Sequence, residues 1–178
     1  MKKLKNDGCE VSIDNMVEHL NDIAGIRIIC SFMSDIYPIA DMIARQADIT
    51  VLHVKDYIKY PKTNGYKSYH MVVTIPVYLS EGKRDTKVEI QIRTIAKDFW
   101  ASLEHKIAYK FEGKAPDYLE RELKSCADMV DMLDMKMFSL NQAIMAVEEE
   151  ERRVEEEKRR EREKAEKRQE ELAGNGPT

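Results

Sequence analysis

The chain has 178 residues, of which 43% are hydrophobic and 35% are charged, and its formal net charge is −4 at pH 7. This length and hydrophobic content suffice for one moderate core, and the negative charge disfavours a general nucleic-acid binder, so no stable nucleic-acid partner is expected. No stretch has the apolar length of a membrane span or of a signal-peptide core, and three scattered cysteines indicate reduced thiols, so the sequence predicts a cytoplasmic protein with no membrane partner.

Hydrophobic spacing predicts both helices and strands along the first 146 residues. Strict alternation of apolar and polar residues indicates strands, and apolar recurrence every three to four residues indicates helices. On this basis we predict helices over 17–24, 35–47, 96–109 and 117–146 and strands over 25–32, 49–56, 68–79 and 87–94. On the helix over 96–109, Phe99, Leu103 and Ile107 lie on one side, and Phe99 and Trp100 are expected in the core and not as platforms for a base.

The last part of the chain is predicted to be a charged tail. Over 148–171, Glu recurs three and four residues from Lys or Arg, which favours a solvated single helix with little core of its own. An RNA-contacting arm is the alternative, but the acidic residues outnumber the basic ones. We therefore expect one domain over 1–146 and a charged helical tail with a frayed end over 147–178.

Residues 55–70 combine cations with flat rings in a way that favours nucleotide binding. The segment reads KDYIKYPKTNGYKSYH and holds four lysines, four tyrosines and a histidine around one proline and one Asn-Gly turn. Lysines suit phosphate oxygens, and a tyrosine face can stack on a base. The alternative is a hairpin whose exposed lysines keep it soluble.

A strand over 87–94 is expected to carry polar side chains into a site. Its alternation places Val88, Ile90 and Ile92 on the core face and a carboxylate, an amide and a guanidinium on the other, from Glu89, Gln91 and Arg93. The alternative is an edge strand whose charges prevent aggregation.

A third segment, 21–30, places Asp22 directly before a β-branched run that includes Arg27. A carboxylate there, together with one from another strand, can hold Mg²⁺, which favours a few carboxylates plus substrate phosphates. By itself the pattern is weak, because Asp also begins many turns.

Together these segments resemble the synthetase domain of the RelA/SpoT family, and most closely its small alarmone synthetases. The matching sequences are DIAGIRIICSF at 22–32, KDYIKYPKTNGYKSYHMVV at 55–73 and VEIQIRTIAKDFWASLEHKIAYK at 88–110. The resemblance implies an α/β (α+β) fold of the nucleotidyltransferase type, with a mixed sheet of about four to five strands flanked by helices, and C-terminal helices. It also implies transfer of pyrophosphate from ATP to the 3′-hydroxyl of GDP or GTP in the stringent response, Mg²⁺ as cofactor, and a homo-oligomer, a tetramer in the family.

The resemblance assigns the catalytic centre to two carboxylates. Asp22 corresponds to a Mg²⁺ ligand. Glu89 corresponds to the catalytic carboxylate, which helps to bind the metal and takes the proton from the attacking hydroxyl. A helix cap or turn former is the alternative for Asp22.

The resemblance also assigns residues to the guanine nucleotide. Tyr66 corresponds to the tyrosine on which guanine stacks, and Asp98 stands where several relatives carry an Asn that reads the guanine edge. A carboxylate can accept hydrogen bonds from both N1–H and the exocyclic amine of guanine, a pairing that adenine cannot offer. An Asp in place of the Asn is therefore compatible with selectivity for guanine. The positions matched to the acceptor's phosphates and ribose are Lys55, Lys62, His70 and Gln91.

On the ATP side the resemblance is incomplete. Relatives carry an Arg-x-Lys pair upstream of the Asp-Ile-Ala-Gly motif, and no such pair stands between Met1 and Leu20. Lys3, Lys5 and Arg27 are the remaining candidates, so we expect a partly formed ATP side. Two alternative functions follow: a catalytically impaired guanine-nucleotide-binding regulator or subunit, and a tRNA 3′-end pyrophosphokinase.

Overall fold

A computed structural model of the chain describes residues 24–80, 82–110 and 116–174, with side chains described except at 108–110 and 169–174. The predictions on Asp22, Lys3 and Lys5, and on the helix over 17–24 as far as residue 23, lie outside these residues, whereas Ala24 is in a strand and not in a helix. The elements are β1 (Ala24–Cys30), α1 (Met33–Ala44), β2 (Thr50–Asp56), β3 (Tyr69–Leu79), β4 (Gly82–Thr94), α2 (Ile95–Lys110) and α3 (Asp117–Gly174). The chain divides into two compact units, Met1–Met135 and Lys136–Thr178.

The first unit contains a four-stranded mixed sheet in the order β1-β4-β3-β2. β1 runs parallel to β4, whereas β3 is antiparallel to both of its neighbours. The predicted α+β fold with a mixed sheet is therefore confirmed. β4 is longer than the predicted 87–94 because its first residues, Gly82 to Thr86, pair with the end of β3 although they lack an apolar alternation.

The core lies on one face of this sheet, where the alternation of β4 predicted it. Val88, Ile90 and Ile92 are buried, together with Met71 and Val73 of β3. Helix α1 covers them through Ile36 and Ala40, which are four residues apart and so lie on one side of the helix. The opposite face of β4 is left for polar side chains.

Of the α2 residues expected in the core, Trp100 is buried, which confirms that prediction, and Phe99 is not. Phe99, Leu103 and Ile107 are 60, 43 and 37% exposed, whereas Trp100 and Ala101 are buried against Ala127 of α3. The expectation failed for Phe99 because α2 is apolar on two sides, and the bulky indole of Trp100 together with its N–H donor decides between them. Trp100 Nε1 donates to the Leu123 carbonyl at 3.0 Å.

A buried ion cluster joins α2, α3 and the end of β4. Lys97, 5% exposed, has its ammonium 2.9 Å from Asp131 and 2.7 Å from Asp134. Thr94 Oγ1 donates to Asp134 at 2.7 Å, and Lys67 lies 2.5 Å from Asp131. Several partners for each buried charge offset the cost of removing it from water.

The second unit consists of the remainder of α3, which is helical through the predicted charged tail. Its side chains are largely exposed and form ion pairs three or four residues apart, such as Arg153 with Glu150 at 2.8 Å and Arg159 with Glu163 at 3.6 Å. Exposed pairs of this kind support an isolated helix by a few tenths of a kcal/mol each, about 0.2–0.5. Within the described residues, no helix is long and apolar enough to cross a membrane.

Candidate active site

The polar face of the sheet carries one row of candidate residues across all four strands. Arg27 of β1 is opposite Gln91 of β4, Gln91 is opposite His70 of β3, and His70 is opposite Lys55 of β2. Directly paired residues on neighbouring strands project to the same face. Four residues from three separate sequence segments are therefore brought together by strand register alone.

Two residues of this row, His70 and Gln91, form a closed ring of hydrogen bonds with the side chains of Glu89, Tyr66 and Arg93. Gln91 Nε2 donates to Glu89 Oε2 at 3.1 Å, and the other carboxylate oxygen of Glu89 lies 3.1 Å from His70 Nδ1. His70 Nε2 lies 2.8 Å from the Tyr66 hydroxyl. Arg93 Nη2 closes the ring, donating to the Tyr66 hydroxyl at 2.7 Å and to Gln91 Oε1 at 2.8 Å. Both oxygens of Glu89 are thus held in place.

The proton positions in this ring follow from the charge of His70. Burial is the largest influence and lowers the pKa of His70, Glu89 raises it, and Arg93 and Lys62 lower it; the net direction is down. The imidazole is therefore neutral at pH 7. Since Glu89 is an acceptor, Nδ1 carries the hydrogen and donates to it, and the Tyr66 hydroxyl donates to Nε2.

The loop before β3 fixes the position of Tyr66. Asn64 Oδ1 accepts from the Tyr66 backbone N–H at 3.1 Å, and the Gly65 N–H donates to the Lys62 carbonyl at 2.9 Å. Gly65 has φ +87°, and a Cβ there would lie only 2.5 Å from the Ala127 Cβ. The turn therefore needs glycine for two reasons, its backbone conformation and its contact with α3.

The ring of Tyr66 is a platform already contacted by cations. Lys62 Nζ lies 4.8 Å from the ring centroid and Arg93 Cζ lies 5.2 Å from it. Tyr57 packs edge-on at 5.8 Å. A base that stacks on the face contacted by Lys62 has to displace this exposed, flexible side chain, which can then reach a phosphate.

An open cleft of about 680 Å³ lies over the polar face of the sheet. The sheet and the 62–66 loop form one wall and α2 forms the other, and Asn64 Nδ2 bridges them by donating to Glu104 Oε1 at 3.2 Å. The predicted site residues that line this cleft are Arg27, Lys62, Tyr66, His70, Glu89 and Gln91. Its size suits part of a nucleotide, and its lining is rich in cations.

Two predicted residues do not line this cleft. Lys55 is exposed on β2, the strand at the sheet edge, opposite His70. Asp98, at the start of α2, uses Oδ1 to accept from Arg93 Nη1 at 3.1 Å and to pair with Arg27 Nη1 at 3.3 Å. In this structure Asp98 holds two arginines, and its proposed contact with guanine stays a prediction.

Sequence reasoning missed the importance of Arg93 and of the α2 wall. Arg93 was placed on the polar face of its strand but given no role, although it is buried and also donates to Ser68 Oγ at 3.3 Å. His105 and Lys106 line the cleft from α2. Arg93 could have been found because it continues the alternation from Glu89 and Gln91, whereas the α2 residues depend on which helix side faces the sheet.

The carboxylates of the described residues fit a magnesium site only in part. The described residues hold no group of three or more His, Cys, Asp or Glu placed to bind a metal. Glu89 faces the cleft with oxygens that keep further lone pairs, and Mg²⁺ commonly takes one or two carboxylates plus phosphate oxygens. Glu89 could thus be one ligand, and the resemblance makes Asp22 the other.

Comparison with known proteins identifies the family. Residues 1–114 match the region found in RelA/SpoT proteins. The chain is 48% identical over 144 residues to the GTP pyrophosphokinase YwaC of Bacillus subtilis, covering 81% of this chain and 69% of YwaC. The chain belongs to the RelA/SpoT family.

Solved structures of small alarmone synthetases also match this chain. The small alarmone synthetase 2 of B. subtilis matches with a TM-score of 0.73 and 47% identity, covering 80% of this chain and 73% of that one. The small alarmone synthetase 1 of B. subtilis, bound to its product pppGpp, matches with a TM-score of 0.73 and 34% identity, covering 80% and 72%. The same synthetase 1 bound to AMPCPP has a TM-score of 0.66 at 30% identity, covering 81% and 70%.

Proposed function

We propose that this chain is a GTP pyrophosphokinase that transfers pyrophosphate from ATP to the 3′-hydroxyl of GDP or GTP and so makes the alarmones of the stringent response. The observation that carries the proposal is the carboxylate of Glu89, held by two hydrogen bonds on the floor of a cleft that also presents cations and a tyrosine ring. The relatives support it, since they are named GTP pyrophosphokinase and one is bound to pppGpp. We place the activity in the cytoplasm.

Glu89 is the proposed general base. Each carboxylate oxygen has two lone pairs, and each uses one of them within the hydrogen-bond ring, towards His70 and Gln91. A substrate hydroxyl can donate to the free lone pair of either oxygen. The fixed orientation allows Glu89 to take the proton as the hydroxyl oxygen bonds to the β-phosphorus of ATP and the bond from that phosphorus to AMP, the leaving group, breaks.

Cations around Glu89 can stabilise the negative charge of the substrate phosphates. Pyrophosphoryl transfer spreads negative charge over equatorial oxygens, and cations placed in advance stabilise it without reorganisation. Lys62 and Arg27 line the cleft, and Lys106 adds a third cation from α2. We assign Lys62, with Lys55 and His70, to the acceptor nucleotide and Arg27 to ATP.

Magnesium completes the proposed centre. Mg²⁺ would be held by Asp22 and Glu89, and when bound it would neutralise phosphate oxygens of the donor. Tyr66 would stack on guanine, which orients the ribose hydroxyl towards Glu89. Asp98 would accept hydrogen bonds from the guanine edge only after its contact with Arg93 or with Arg27 was broken. A homo-oligomer stays a prediction.

The experiment measures transfer of labelled pyrophosphate from ATP to GDP or GTP, with Mg²⁺, for the parent chain and Glu89→Gln. We expect Glu89→Gln to abolish turnover while calorimetry shows guanine-nucleotide binding within about threefold of the parent, since the amide keeps the size of the side chain but cannot accept the proton. Asp85→Asn is the matched control, an exposed carboxylate on the same strand.

The same assay separates the alternative functions. A parent chain that binds GDP but transfers nothing would be a nucleotide-binding regulator. Transfer to tRNA in place of GDP would make it a tRNA pyrophosphokinase. Parental turnover by Glu89→Gln would remove Glu89 as the base.

A further inference from the structure

The side chain of Lys62 lies in a corner formed by two tyrosine rings. Its ammonium is 5.0 Å from the ring centroid of Tyr57 and 4.8 Å from that of Tyr66. The two rings meet edge to face, with their centroids 5.8 Å apart and their planes at 71°. A cation within about 6 Å of a ring centroid is attracted by the face of that ring. Two such contacts therefore hold the ammonium on the Tyr66 platform.

The backbone of the loop keeps Lys62 beside this platform. The Lys62 N–H donates to the Tyr66 carbonyl at 3.1 Å, and the Lys62 carbonyl accepts from the Gly65 N–H at 2.9 Å. The start of the lysine side chain is thus fixed relative to Tyr66, whereas the side chain itself is exposed and flexible. The ammonium can leave the rings without any change in the loop.

The second cation on the Tyr66 ring cannot leave in this way. Arg93 lies 5.2 Å from the ring centroid, but it is buried. It donates four hydrogen bonds, to Ser68, Gln91, Asp98 and the Tyr66 hydroxyl. Moving it would leave a buried charge with unsatisfied donors. Of these two cations, Lys62 is therefore the one that a stacking base displaces.

We propose that Lys62 makes the site selective for guanine nucleotides over guanosine, because its ammonium occupies the place where the base stacks. This inference rests on the proposed function for the assignment of guanine to Tyr66. Every guanine ligand has to break the two contacts between the ammonium and the rings. A ligand with phosphates offers the released ammonium a new partner, and an ion pair with a phosphate oxygen is stronger than contact with an exposed ring. Guanosine breaks the same contacts and provides no ion pair.

A neighbouring lysine provides a matched control. Lys59 is also exposed and also lies over a tyrosine ring, 5.6 Å from the centroid of Tyr60. Neither of these two residues lines the cleft. Lys59→Ala therefore removes the same charge from the same segment without opening the Tyr66 platform.

The test titrates guanosine and GDP separately into the parent chain, Lys62→Ala and Lys59→Ala, with binding followed by NMR and no ATP present. Lys62→Ala should bind guanosine at least about threefold more tightly than the parent, because the two contacts no longer have to be broken. It should bind GDP at least about threefold more weakly, because the lost ion pair outweighs that gain. Lys59→Ala should change each dissociation constant by less than about twofold.

The same spectra report the contact directly. Protons above an aromatic face are shifted upfield by the ring current, so the ε-methylene protons of Lys62 should be upfield in the free parent chain. GDP should move them back towards the usual position of a lysine. The signal is assigned by its absence from Lys62→Ala. Unshifted protons in the free chain would show that the ammonium does not rest on the rings, which would overturn the proposal.

Tyr66→Ala separates this inference from the proposed function. If this variant binds both ligands as the parent does, guanine does not stack on Tyr66, and the assignment and the inference are both wrong. If it weakens both ligands while Lys62→Ala binds guanosine no more tightly than the parent, the inference alone is wrong. Equal changes for guanosine and GDP in Lys62→Ala would overturn it as well. Because no titration contains ATP, these results do not depend on whether the chain transfers pyrophosphate.

Discussion

Replacing Gly65 by Ala should disturb the fold and the site together. The backbone at residue 65 has φ +87°, and the new Cβ would lie 2.5 Å from the Cβ of Ala127. The left-handed conformation costs an L-residue roughly 1–2 kcal/mol. Overpacking at a close contact costs about 1–3 kcal/mol more. A total near 3 kcal/mol should lower Tm by roughly 6–12 °C in a chain of this size.

The two contributions can be separated by a second substitution at the contact. Ala127→Gly removes the clashing methyl group and by itself costs about 1 kcal/mol in a helix interior. The double variant should recover most of the overpacking part, because the remaining close contact, 3.0 Å to Lys124 Cδ, involves a flexible side chain that can move. It should retain the left-handed strain. Urea unfolding of the parent, both single variants and the double variant gives the coupling energy.

The activity of the same four proteins tests whether the loop positions Tyr66. The backbone N–H groups of residues 65 and 66 both make hydrogen bonds that hold the turn, so a shifted backbone at residue 65 should displace Tyr66. We therefore expect Gly65→Ala to weaken guanine-nucleotide binding. The Ala127→Gly background should restore part of the affinity. If the unfolding free energies of Gly65→Ala and Ala127→Gly simply add, the clash between residues 65 and 127 does not contribute. If Gly65→Ala is as stable as the parent, neither the clash nor the left-handed backbone strain contributes.

Two further predictions concern side chains that join the site to the fold. Tyr66→Phe keeps the aromatic ring but removes the hydroxyl that accepts from Arg93 and lies against His70, so it should lower kcat by more than it raises the KM for GDP. An unchanged kcat would show that the ring of hydrogen bonds has no role in turnover beyond packing. For Asp131, burial raises the carboxyl pKa, but hydrogen bonds and charge from two lysines outweigh it and bring the pKa below the usual 3.8. Its contribution to stability is thus fully present well above pH 3.8 and is lost as the pH falls through the lowered pKa of the folded state. Asp131→Asn should therefore destabilise the chain by roughly 1–3 kcal/mol at pH 7 and flatten the acid side of the stability curve, as urea unfolding at several pH values would show.

The sequence predicted the structure best in the strands, where apolar and polar residues alternate with a period of two. The alternation in β4 predicted its buried residues and its polar face, and the strand register then placed Arg27, Gln91 and His70 in one row. Alternation cannot show which strands are neighbours, since that depends on contacts between distant segments. The row was therefore predicted through the family resemblance and not through the pattern itself.

The helices were harder to orient. α2 has apolar residues on more than one side, and the observed choice depends on Trp100 and on the buried ammonium of Lys97. A lysine in a helix is normally assigned to solvent, so its burial could not be predicted without Asp131 and Asp134, which lie more than thirty residues away. The α2 wall of the cleft was missed for the same reason.

Adjacent residues connect the site to the ion cluster at two points. On β4, Arg93 belongs to the hydrogen-bond ring and the next residue, Thr94, donates to Asp134. Before β3, Tyr66 belongs to the ring and the next residue, Lys67, pairs with Asp131.

Neighbouring residues of a strand point to opposite sides, which accounts for the division of Arg93 and Thr94 between the site and α3. Tyr66 and Lys67 are divided between the site and α3 in the same way. Helix α3 contributes no side chain to the ring, yet its carboxylates fix the two segments that supply Tyr66 and Arg93. A substitution in α3 that weakens the ion cluster should therefore reach Glu89 by way of Tyr66 and His70, and reduce turnover even though the altered residue touches neither nucleotide.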